Sequence, residues 1–139
     1  MTTRLRRRDL VALLALAALL LAACGNLEER SLCRQYEDVR AVADEIRALD
    51  PTTASTTDML ELLDEALVEL DQLQASAEGL YDQAISTVRT NLLEFRQVTF
   101  DLGDEALDVA LPLVEDSIVS TSTAYQLLER RLDVVCNVG

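Results

Sequence analysis

The chain has 139 residues, 50% hydrophobic and 27% charged, and a formal net charge of −13. Such acidity excludes a nucleic-acid binder, which must neutralise phosphates. All 12 basic residues are Arg and there is no His, which excludes His-based metal sites, triads and proton shuttles, lysine Schiff bases and phosphate-binding P-loops.

Arg4, Arg6, Arg7 and Arg8 form a positive start, followed by an apolar run from Leu10 to Ala23. That run is short for a spanning helix, which needs roughly 20 residues, and has the length of a signal-peptide core. It ends in Leu21-Ala22-Ala23-Cys24-Gly25, which resembles the lipobox of bacterial lipoproteins: Leu, two small residues, then Cys. The resemblance covers residues 1–25 only. It implies cleavage before Cys24, a diacylglyceryl group on the Cys24 sulfur, and fatty acyl chains such as palmitate at the new N-terminus. The expected division is therefore a lipoprotein signal peptide over residues 1–23 and a single helical domain over 24–139. The expected location is the extracytoplasmic side of a cell membrane, held by the lipid anchor on Cys24. Arg7-Arg8-Asp9-Leu10-Val11 also loosely matches a twin-arginine signal, so both export routes stay open. Removing the first 23 residues takes away four Arg and one acid, leaving the remainder more acidic still.

Export places the chain in an oxidising space, where the even pair Cys33 and Cys136 reads as a disulfide. Low Gly, two Pro and abundant Ala, Leu, Glu and Gln predict helix throughout. In the first segment Leu32, Val39, Val42, Ile46 and Leu49 share one face, and Asp50-Pro51 ends it, because Pro disfavours helix in the residue before it. Thr52 to Thr57 reads as a loop. Asp58 then reads as the cap of a second helix, with Glu61 as its capping-box partner and Leu60, Leu63, Leu67 and Leu70 as its stripe.

The stripe can run on in phase through Ala77, Tyr81, Ala84, Val88 and Phe95 as one long helix. Against this, Glu78-Gly79-Leu80-Tyr81-Asp82-Gln83-Ala84-Ile85 resembles the turn inside a tetratricopeptide-type hairpin, though one short match that occurs once makes no repeat protein. Gly79 suits the left-handed position that closes a helix. A helix of some 44 residues would also span about 66 Å, far more than the first helix climbs. The last segment carries the seam Leu107, Leu111, Val114, Ile118, Thr121, Tyr125, Leu128, Leu132 and Val135. Pro112 is expected to interrupt it, so that 104–111 bend over the end of the molecule. The predicted fold is all-α: an up-down helical bundle of four helices closed by the disulfide, with three long helices lacking the turn at 79–81 as the alternative.

No catalytic residue, metal site or cofactor is expected, and the chain does not read as an enzyme. Glu61, Glu65 and Glu69, and the group Asp101, Asp104, Glu105 and Asp108, read as solvated helix faces and N-terminal acids that complement the helix dipole, since no EF-hand spacing is present. Tyr36, Tyr81, Tyr125, Phe95 and Phe100 read as core rather than pocket. Ser117, Ser120, Thr121, Ser122 and Thr123 read as solvent-facing hydroxyls, with a polar cavity lining as the alternative. Arg30, Arg34, Arg130 and Arg131 fall near the lipidated end, and acids gather at the opposite tip, which would stand away from the membrane. The leading functional expectation is an interaction or adaptor module that docks onto another protein of the cell envelope. The alternative is a binding protein for a lipid or small apolar ligand held between the helices.

Overall fold

The computed structural model describes residues 7–136, with side chains from residue 27 on. The arginines at 4 and 6 lie outside the described residues. So do the side chains of the lipobox, Leu21, Ala22, Ala23 and Cys24, where only the helical backbone is described. Four helices follow one another: α1 (Arg7–Ala48), α2 (Thr56–Ala77), α3 (Asp82–Asp101) and α4 (Leu107–Cys136). Among the described residues there is no strand beyond one isolated bridge, and no helix is long and apolar enough to cross a membrane.

Consecutive helices pack side by side and α4 returns to α1, which makes an up-down bundle. Each helix buries a stripe at three- and four-residue spacing. On α2 the stripe is Met59, Leu63, Ala66, Leu70, Leu73 and Ala77, so Leu60 and Leu67 sit at its flank rather than on it. On α4 it is Leu107, Ala110, Val114, Ala124, Tyr125, Leu128 and Leu132, most of the expected seam. The turn expected at 79–81 is present, and 58–101 is two helices. Gly79 has φ +87°, and Glu78 and Tyr81 are also left-handed, with φ 48° and 68°. Three such residues close together reverse the chain within four positions, where a straight helix would have carried it out of the core.

Two local expectations are corrected. The cap of α2 is Ser55, not Asp58: the Ser55 side chain accepts from the Asp58 N–H, and the Asp58 carboxylate accepts the Ser55 N–H at 2.7 Å. The capping box has the expected chemistry three residues earlier. Pro112 does not interrupt α4. It is the sixth residue of that helix and removes one ladder bond, while the start of α4 is held from outside. Leu107 N–H donates to Ala54 O and Asp108 N–H to Pro51 O, both at 3.0 Å.

These bonds lock the distal end. The α1–α2 and α3–α4 connections run antiparallel there, joined by Thr56 N–H to Glu105 O at 2.9 Å. Fully buried Thr56 donates its hydroxyl to Gly103 O at 2.6 Å and accepts the Glu105 N–H at 3.0 Å. At the opposite end Cys33 and Cys136 form the expected disulfide, with Cα atoms 5.4 Å apart, inside the ordinary range. Beside it, fully buried Tyr36 donates to Asp133 Oδ1 at 2.7 Å. Burial, reinforced by that carboxylate, pushes the Tyr36 pKa well above the ordinary phenol value.

Candidate functional site

Between the locked ends the four helices do not fill their interior. A cavity of about 150 Å³ lies in the middle of the bundle, reached from one side. Its deep wall is apolar and comes from α2 and α3: Leu63, Ala66, Leu70, Val88, Leu92 and Phe95, all buried. Its open side is the seam between α1 and α4. Every lining residue with appreciable exposure belongs to those two helices: Ala43, Ile46 and Arg47 on one lip, Ile118, Thr121 and Ser122 on the other.

The cavity has a sequence cause. Between Val114 and Ala124, α4 has no fully buried residue. At this level the facing helices present Ala43 and Ala66, and α4 presents Thr121 and Ser122. Four small side chains meet where Leu or Val would have closed the gap and restored close packing.

Two hydroxyls in the lining are unpaired. The hydroxyl oxygens of Tyr125 and Thr121 are both buried and without a hydrogen-bond partner, and the whole Tyr125 residue is only 6% exposed. A buried hydroxyl left unsatisfied costs roughly 1–3 kcal/mol, and neither oxygen has surface that an atom in the cavity could reach. Burial pushes the Tyr125 pKa up, and nearby Glu129 adds to the shift while Arg47 and Arg40 oppose it; the phenol stays neutral. At the mouth the Arg47 guanidinium stacks on the Tyr125 ring, 5.3 Å from its centroid, which brings α1 against α4. Arg47 also pairs with Asp44 at 2.8 Å.

The aromatic residues divide. Tyr36 is core, Phe95 and Tyr125 line the cavity, and Tyr81 occupies the α2–α3 turn. Phe100 is 59% exposed and belongs to no core. The hydroxyl patch of α4 also divides. Thr121 and Ser122 line the cavity, Ser120 and Thr123 face solvent, and Thr123 returns its hydroxyl to Val119 O at 2.8 Å. Ala43, Ala66 and Arg47 went unnoticed in the sequence. Their signal is small residues at core positions of several helices at one level, which becomes visible only once the helices are placed in register.

Among the described residues no group of three or more Cys, Asp or Glu could hold a metal ion. Asp58 and Asp50 carry carboxyl pKa values held below the usual range by hydrogen bonds from Ser55 and Thr52 respectively, as expected of capping and turn residues. Asp64 is held low by Arg96, and Asp71 pairs with Arg89; both pairs tie α2 to α3 at the surface. The disulfide end is of mixed sign. Glu28, Glu29 and Glu78 surround a second pocket there, of about 220 Å³, with Leu32 and Tyr81, so the basic character expected of that end is diluted. Comparison with protein-family models, curated proteins and solved structures finds no match for the chain.

Proposed function

We propose that the chain is a lipid-anchored lipoprotein on the extracytoplasmic side of a bacterial cell membrane, and that its bundle is a non-catalytic module binding a small apolar ligand between the helices. The anchor rests on the resemblance of Leu21-Ala22-Ala23-Cys24 to a lipobox. The Cys33–Cys136 disulfide suits an oxidising compartment. The ligand reading is carried by one observation: a largely apolar cavity, open at the α1–α4 seam. Ligand sites have this character, mostly apolar with a few placed polar groups.

The envelope-protein adaptor is the second reading. It draws on Val109, Leu113, Leu127 and Val134, all exposed on α4 and all within one side of that helix by their spacing. A single test separates the two. The protein is purified from its own membranes after brief in-cell crosslinking, with Cys24→Ala as control. Mass spectrometry then identifies the N-terminal peptide, bound small molecules and crosslinked proteins together. A diacylglyceryl mass on Cys24 with a stoichiometric small molecule supports the ligand-binding lipoprotein. An anchor-dependent protein partner with no small molecule transfers the function to the α4 face. An unmodified Cys24 ends the lipoprotein reading.

A further inference from the structure

One outer strip of the bundle is apolar and carries no net charge, and none of its residues lines the cavity. Asp64 pairs with Arg96 and Asp71 with Arg89, which fixes the register of the antiparallel helices α2 and α3. Residues three or four apart share a helix face. On α2 the face that carries the two acids runs Leu60, Asp64, Leu67, Asp71, and on α3 the face that carries the two arginines runs Phe100, Arg96, Leu93, Arg89. The register therefore sets Leu60 opposite Phe100 and Leu67 opposite Leu93, alternating with the ion pairs. Val68, four residues after Asp64, widens the strip on the α2 side. Val68, Leu93 and Phe100 are exposed, and Leu60 and Leu67 are half-buried.

The ridges beside the strip have the opposite character. Helices α2 and α3 together carry nine acids and two arginines, a net charge of −7, and both arginines are taken up within the strip by Asp64 and Asp71. Glu61 and Glu65 each follow a strip residue by one position, about 100° further round α2. Glu94 and Asp101 follow Leu93 and Phe100 in the same way on α3. All four are exposed, and among the described residues none of them has a cation partner. Glu61 and Glu65 are also four apart, a like-charged pair that slightly destabilises its own helix.

An apolar strip between two acidic ridges is complementary to a helix with an apolar seam and Lys or Arg on both sides of it. The seam would need anchors seven residues apart, because Leu60 with Phe100 and Leu67 with Leu93 stand about 10.5 Å from each other along the groove. The flanking cations would meet Glu61 and Glu65 on one ridge and Glu94 and Asp101 on the other. A second copy of the chain would bring acid against acid, and an anionic membrane surface would repel the ridges for the same reason.

We propose that the outer α2–α3 strip is a docking groove for a basic amphipathic helix of another protein, independently of any ligand in the cavity. This is helix-in-groove recognition, with apolar anchors supplying the contact and the charged ridges selecting the partner and its register.

The test puts a photo-crosslinking phenylalanine analogue in place of Leu93, of Phe100 or, as control, of the exposed Val119 on α4. The full chain is expressed in its own cells, and the captured segment is sequenced by mass spectrometry. The expected result is one protein segment captured from positions 93 and 100 but not from 119. Its apolar residues recur at three- and four-residue spacing, with Lys or Arg on both flanks. A synthetic peptide of that segment should bind the purified protein. Glu61→Gln, Glu65→Gln and Glu94→Gln together should weaken that binding about tenfold, since each exposed ion pair contributes modestly. Phe100→Ser should weaken it about thirtyfold, as the loss of an aromatic anchor does. All four substitutions are at exposed positions, and circular dichroism checks that the helices are retained. Capture of a second copy, of lipid alone or of a segment without the basic amphipathic pattern overturns the proposal. So does the absence of any capture at 93 and 100, or a peptide affinity indifferent to the three Gln substitutions.

Discussion

The α2–α3 face and the α1–α4 seam are built from similar amphipathic helices, yet the first is closed where it lines the cavity and the second opens there. Helices α2 and α3 are joined by a four-residue turn and tied by Asp64–Arg96 and Asp71–Arg89, and the cavity residues they contribute are all buried. Helices α1 and α4 share no turn. They meet through the disulfide, the Tyr36–Asp133 bond and the Arg47–Tyr125 stack, and they pack against each other far less than either packs against its sequence neighbour. Chain connectivity sets the spacing of consecutive helices. The first and last helices of a bundle have only side chains to set theirs, so unfilled volume collects between them.

The most severe way to break the comparison is to remove the staple. Replacing Cys33 and Cys136 by Ser frees a loop of 103 residues, and the expected loss is about 4–5 kcal/mol of unfolding free energy in the chain-entropy model. Urea denaturation of the variant against the parent reads this directly. A loss of this size is a large share of a small domain's stability, and solvent exposure of Tyr36 and Tyr125 in the native baseline should rise with it.

Alkaline titration probes the same seam without mutation. The folded state holds the Tyr36 and Tyr125 protons more tightly than the unfolded chain does. Their contribution is therefore complete below the ordinary tyrosine value of about 10 and is lost as pH rises through the higher folded values. Thermal unfolding from pH 8 to 11 should show stability falling above about pH 10, and the double substitution of Tyr36 and Tyr125 by Phe should flatten that fall. Asp58 has the opposite sign. Its lowered pKa stabilises above the usual carboxylate range and ceases to do so in acid.

Two threonines set a closed region against the open one. Thr56→Val leaves Gly103 O and the Glu105 N–H without the bonds they make to the Thr56 hydroxyl, at an expected cost of about 1–3 kcal/mol. The Ser55→Ala cap variant should cost about 1 kcal/mol. Thr121→Val replaces a buried, unpartnered hydroxyl with a methyl group of similar size. It should leave stability unchanged or raise it slightly. The same denaturation experiment ranks all three, and a Thr121→Val loss as large as that of Thr56→Val would mean that the seam is as closed as the tip.

Much of the fold was legible because a few residues act locally. Asp50-Pro51 stops α1, Gly79 marks the reversal, and the period of Leu128 and Leu132 with Leu107 and Val114 identifies α4. The two distant cysteines read as a closing bond because an even pair in an exported chain is expected to oxidise. The cap was misplaced because Ser55 and Asp58 are both good capping residues three apart, and sequence does not say which one the helix starts from. Pro112 was overrated because its cost is local, while the bonds from Leu107 and Asp108 that hold the helix start come from a loop more than 50 residues earlier. The cavity was least legible. Periodicity tells which residues face inward, but the volume they leave depends on which of them sit at the same height, and Ala43, Ala66 and Thr121 lie on three different helices.

The closing bond also changes how the molecule responds to force. With Cys33 joined to Cys136, everything between them is a covalent ring. A tug applied to the two ends of the polypeptide passes through the sulfur atoms from the first helix to the last, and none of it is transmitted through α2 or α3. Only the segments outside the ring can be drawn out, so the bundle and its hollow ride along untensioned, and under reducing conditions the same tug would unravel them helix by helix.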